Sequence, residues 1–243
     1  FLAVIGFVAL AANDVVAQTN DAAAQELLAG AASEAPVYQQ IKAKFIDGGV
    51  GFMAAILLCL ILGLAVAIER IIYLSLSTTN TSKLIAKVEE ALNNGGVEAA
   101  LEICRNTRGP VASIFYQGLS RMDQGLEAVE KSVVSYGGVQ AAQLETGLTW
   151  LSLFIAMAPN LGFLGTVIGM IGAFDAIQAA GDISPIVVAS GIKVALITTV
   201  AGLIVALILQ VFFNYITSKV ESLVITMEDA SVTLIDILLK AKK

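Results

Sequence analysis

Three hydroxyls, Thr166, Thr198 and Thr199, are the side chains of this chain best suited to handling an ion. Each sits in a long apolar run studded with small residues. Residues 158–177 read "APNLGFLGTVIGMIGAFDAI", with four glycines and a single threonine. A helical threonine can donate to the carbonyl four residues back, so one alone carries little meaning. Thr166, however, follows Gly162 by one turn, and Thr199 lies on the matching small-residue face of the next apolar run, with Thr198 beside it. Two such faces on adjacent helices make a shared polar layer, and several chains in a ring would make a collar of hydroxyls. Hydroxyl and carbonyl oxygens are hard donors, suited to hard cations.

Other chemistry is thin. The chain has no histidine, and its two cysteines, Cys59 and Cys104, form no disulfide or zinc framework. No nucleophile–base pair or metal-ligand cluster is legible, so neither an enzyme nor a bound metal or cofactor is expected. A net charge of −6 gives no sign of nucleic acid as a partner. Asp175 and Lys193 fall near the ends of their runs, where a charge is far cheaper than at a bilayer centre. A carboxylate that carries an ion past the threonines must then come from another subunit.

The helices that position these hydroxyls are marked by glycine. Glycine costs a soluble helix about 1 kcal/mol relative to alanine, so Gly162, Gly165, Gly169 and Gly172 need a reason. Their spacing of three, four and three puts them on one face, where small residues let helix backbones approach closely inside a membrane. The following run repeats the device with Gly191, Ala195, Gly202 and Ala206.

Composition supplies the setting. Hydrophobic residues make up 57% of the 243, and charged residues only 14%, against about 25% in ordinary soluble domains. Uncharged stretches of 21, 29 and 25 residues lie between Asp47 and Glu69, Glu145 and Asp175, and Lys193 and Lys219. A span needs about 20 residues, so the second and third helices should project beyond the membrane. The fold class expected is all-α: a polytopic membrane protein with three long transmembrane helices and a cytoplasmic helical domain.

The domains expected are a signal-like segment and periplasmic or interfacial linker over 1–47, span one over 48–74, the cytoplasmic helical domain over 75–145, and span two over 146–178. A short periplasmic loop then covers 179–190, span three 191–218 and a cytoplasmic C-terminal helix 219–243. "FLAVIGFVALAANDVVAQ" has a signal-like apolar stretch and a cleavage-like pattern ending at Ala17, and is expected to be retained. In the helical domain, Thr81 or Ser82 should cap the first helix and Gly95 should end it; Gly109-Pro110 should end the second. Val220, Leu223, Val224, Met227, Leu234, Ile235 and Leu238 make the tail amphipathic, either continuing span three or packing on the helical domain. Lysine and arginine concentrate in 75–145 and in the tail, whereas "QAAGDISP" has none. Both basic regions should therefore face the cytoplasm, with the N-terminus periplasmic.

"APNLGFLGTVIGMIGAF" resembles the second span of the ExbB/TolQ/MotA ion-channel family. "ASGIKVALITTVAGLIVALILQVFFNYI" resembles its third span, and "GGVEAALEICRNTRGPVASIFYQGL" its cytoplasmic helical domain. The likeness runs over about residues 48–230 and is nearest the ExbB/TolQ branch. It implies a homopentamer in the bacterial inner membrane, in contact with membrane lipid, with spans two and three lining a central pore. An ExbD/TolR-like single-span partner would place its helices in that pore and supply the proton-carrying aspartate, with Thr166 and Thr199 beside the path. Ion flow would act through a TonB/TolA-like protein on outer-membrane import. One departure stands out: Val194, preceded by Lys193, occupies a place where many relatives carry glutamate.

The leading reading is an ion-driven motor subunit using the proton motive force. Sodium is the alternative ion, because the adjacent pair Thr198 and Thr199 adds a hydroxyl. A TolQ-like unit for outer-membrane maintenance and a passive membrane scaffold are the alternative roles. A secondary transporter ranks last, for want of an internal repeat or a central charge.

Overall fold

The computed structural model describes residues 37–181 and 185–241, and every element among them is helical. The signal-like segment lies outside the described residues. The chain divides between Ile46 and Asp47 into two compact units. The helix α1 (Val37–Asp47) lies in the first except for its last residue, Asp47, which belongs to the second, and it carries Lys44 in its last turn.

The second unit is built on three long helices. Span one is α2 (Val50–Ser77), span two is α6 (Leu148–Ala180), and span three opens α7 (Pro185–Ala241), a single helix of 57 residues. All three are long and apolar enough to cross a membrane. At 1.5 Å per residue, α6 is roughly 50 Å long and α7 roughly 85 Å, so both exceed a hydrocarbon core of about 30 Å. Between spans one and two lie α3 (Thr81–Asn106), α4 (Pro110–Leu119), a 3-10 turn (Met122–Gln124) and α5 (Leu126–Glu145). The distal half of α7 packs on α3, α4 and α5. It buries Val220, Met227, Leu234 and Leu238, most of the stripe expected of the tail. Continuing the span and packing on the helical subdomain are thus one arrangement. Gly118 lets α4 settle onto α5: a Cβ there would stand 2.6 Å from Val133 and 3.5 Å from Leu234.

Two helix ends differ from expectation. The cap of α3 is Asn80, whose side-chain oxygen accepts from the Lys83 amide at 3.1 Å. Thr81 and Ser82 fall inside the helix. The expected stop at Gly95 is instead a kink at Gly96, with φ 72 and ψ −165, after which the helix resumes. Only a residue without Cβ enters that region cheaply. Asn80→Ala is expected to cost about 1 kcal/mol and to lower the melting temperature of the detergent-solubilised protein; an unchanged midpoint would make the cap energetically idle.

Cys104 sits in the core beneath α4, 3% exposed, and burial pushes its thiol up to about 11. Only the thiolate is reactive. Maleimide at neutral pH should therefore modify Cys104 only after denaturation, and rapid labelling of the folded protein would show that the α3–α4 core opens.

Candidate functional site

The glycine face of α6 meets α7 of the same chain. A Cβ on Gly162 would stand 3.0 Å from the Thr198 carbonyl oxygen and 3.1 Å from the Thr199 Cα; one on Gly165 would stand 2.7 Å from Thr198 Oγ1. Gly169 faces Ala195, and Gly191 of α7 faces Ala173. A Cβ on Gly202 would collide with the Ala158 carbonyl oxygen and stand 3.3 Å from the Gly162 Cα. The crowding expected of this helix is therefore supplied by the neighbouring span. Gly172 does not share in it: nothing lies within 4 Å of its Cβ position.

The threonines separate into two environments. Thr198 is fully buried in the seam, donating to the Ala195 carbonyl at 2.8 Å, with the Val194 and Gly162 carbonyls at 3.4 and 3.5 Å. Thr199 is half-buried, its hydroxyl 3.3 Å from the Gly162 carbonyl and 3.4 Å from the Ala195 carbonyl. Gly162 lacks a side chain, so both hydroxyls of α7 reach its carbonyl across the seam. Such interhelical bonds contribute about 0.6 kcal/mol each in a membrane. Thr166, also half-buried, donates to Phe163 of its own helix at 2.6 Å. The shared polar layer thus centres on Gly162, Thr198 and Thr199, and Thr166 stands a turn along α6. Within the chain, Thr198 packs between the two helices rather than on an exposed face. Sequence adjacency alone does not tell which neighbour turns inward.

Lys193 occupies a place the sequence did not specify. Its ammonium lies 2.7 Å from the Asp47 carboxylate, at 54% and 37% side-chain exposure. The start of span three is thereby tied to the residue just before span one. The signal was present: Asp47 and Lys193 are each the last charge before an uncharged stretch. Toward the other end of span one, Arg70 pairs with Glu69 at 2.6 Å and lies over the Tyr73 ring, 5.1 Å from its centroid. Between these ends, no ionisable side chain among the described residues stands beside the threonine layer.

Fold and seam together define a multi-pass, all-α membrane protein with hydroxyls packed between two small-residue spans. The model of the MotA/TolQ/ExbB proton channel family matches residues 106–229, from the end of α3 through α6 and most of α7. The chain belongs to this family. It is 36% identical over 162 residues to a biopolymer transport protein ExbB homolog of Methanothermobacter thermautotrophicus, covering 66% of this chain and 57% of that protein. It is 31% identical over 179 residues to the biopolymer transport protein ExbB-like 1 of Synechocystis sp., covering 72% and 70%. The biopolymer transport protein ExbB of Xanthomonas campestris pv. campestris is 38% identical over 113 residues, covering 46% and 43%.

Proposed function

We propose that the chain is the channel-forming subunit of an ExbB-type motor in the bacterial inner membrane, converting the proton motive force into work on a TonB-like partner. The observation that carries this reading is the pairing of spans two and three around a hydroxyl layer with no carboxylate beside it among the described residues. Hydroxyls orient and solvate an ion but do not carry a proton at neutral pH, so an acidic group on another subunit completes the path. An ExbD/TolR-like single-span protein, held inside a homopentamer, would supply it. The N-terminus would be periplasmic, and α3–α5 with the distal half of α7 cytoplasmic. Protons are favoured over sodium because Thr198, one of the two adjacent hydroxyls that motivated sodium, is fully buried between the helices, which leaves Thr199 alone of the pair within reach of an ion. A TolQ-like role in outer-membrane maintenance uses the same geometry and differs in the protein driven.

Native mass spectrometry in mild detergent is expected to give five copies, and proteoliposomes holding the pentamer with its single-span partner should take up protons under a gradient. A stable monomer or dimer, or uptake that follows sodium at fixed pH, would overturn this reading or its choice of ion.

A further inference from the structure

A second polar site lies well away from the threonine layer. Where α2 ends, the chain runs through Ser77, Thr78, Thr79 and Thr81. With Lys219, Ser222 and Thr226 of α7 these residues enclose a cavity of about 130 Å³. Its lining contains one charge, the Lys219 ammonium, and no carboxylate. Lys219 makes no ion pair among the described residues. The first turn of α4 closes one wall with Pro110 and Val111, and no side chain caps that turn.

The level of this cavity is set by its neighbours. Tyr73, half-exposed, precedes Ser77 by one helical turn, and Tyr215, 54% exposed, precedes Lys219 by one turn. Tyrosines concentrate where hydrocarbon gives way to headgroups. Lys219 is also the first charge after the 25 uncharged residues of span three. The cavity therefore opens one turn beyond the hydrocarbon, on the side of the helical subdomain, at the depth of lipid phosphates.

We propose that this cavity is a phosphate site that holds the headgroup of an anionic phospholipid against the junction of spans one and three. An ammonium supplies charge-assisted hydrogen bonds to phosphate oxygens, and hydroxyls that can rotate supply further donors. Ser77, Thr78 and Thr226 donate to backbone carbonyls of their own helices at 2.9, 2.9 and 2.8 Å, and each can turn its proton to a ligand. The volume fits one phosphate group and excludes a nucleotide. A bound lipid would brace α2, α4 and α7 where the membrane part meets the helical subdomain.

The test uses the delipidated full chain with phosphatidylglycerol, phosphatidylcholine or inorganic phosphate, read by native mass spectrometry and by melting temperature. Wild type is expected to retain about one phosphatidylglycerol per chain in preference to phosphatidylcholine, and Lys219→Gln to bind it about tenfold more weakly. Lys219→Arg should restore retention, and Lys240→Gln, farther along α7, should leave it unchanged. If Lys219→Gln does not fold, Ser222→Ala provides a milder loss of several-fold. Lys219-dependent stabilisation by inorganic phosphate without lipid retention would assign the same chemistry to a free ion. The proposal fails if neither phosphate source binds, if the two lipids are held equally, or if Lys219→Gln and Lys240→Gln behave alike.

Discussion

Gly202→Leu is expected to abolish the packing of span three on span two. The first added carbon would collide with the carbonyl oxygen of Ala158, and the Gly162 backbone stands 3.3 Å away. Both obstacles are backbone, so no rotamer change relieves them and the helices must separate. Overpacking with side chains that can yield costs about 1–3 kcal/mol; this site should reach the top of that range or exceed it. Separation would also take the Thr199 hydroxyl from the Gly162 carbonyl. The purified variant should melt well below wild type or fail to accumulate. Gly172→Ala is the matched control, since its Cβ position is open within the chain and the α6–α7 seam should survive it. Equal stability of Gly202→Leu and wild type would mean that α6 and α7 do not meet at this register.

The second large effect is expected on function with little change in stability. Thr→Val keeps shape and removes the hydroxyl. At Thr166 the lost bond is internal to α6, 2.6 Å to Phe163, so the fold should hardly notice. At Thr199 one weak interhelical bond disappears, costing about 0.6 kcal/mol. If the proposed path is right, gradient-driven transport should nevertheless fall about tenfold or more in each, because the ion or carboxylate it places beside the hydroxyl would lose a hydrogen bond to a charged group, about 1.5–3 kcal/mol. Thr198→Val should behave oppositely: its hydroxyl is buried in the seam, donating to the Ala195 carbonyl at 2.8 Å with the Gly162 carbonyl 3.5 Å away, so stability drops and any transport loss tracks the loss of folded protein. Transport by the assembled Thr166→Val and Thr199→Val variants at the wild-type rate, with the proposed partner still copurifying, would assign these hydroxyls to packing and return the scaffold reading.

Much of this was legible along the chain. Uncharged stretches of 21, 29 and 25 residues announce three spans, because a charge at mid-bilayer is too costly to leave unmarked. The glycine spacing marked the crowded face of α6, and the tail's apolar stripe marked the face that α7 buries. Helix ends were less legible. Thr81, Ser82 and Asn80 are all competent caps, and only the backbone path chose Asn80. Gly95 and Gly96 are chemically identical, and the kink fell on the second because the chain turns there.

By itself the sequence determined the class of protein, the order of its spans and which faces carry small residues and hydroxyls, since composition and a period of 3.6 residues report these directly. It did not determine what those faces meet. Adjacent residues on a helix point about 100° apart, so the rotation of α7 against α6 decided that Thr198 enters the seam while Thr199 stays half-exposed. The fold also brings Lys193 to within 2.7 Å of Asp47, a pairing that no periodicity along the chain reports. Tertiary packing fixed these outcomes because close approach at Gly162, Gly165 and Gly202 admits one registry of the two backbones. A periodic pattern identifies a face, and only the neighbour seated on it decides which of its residues packs the seam and which stays partly exposed.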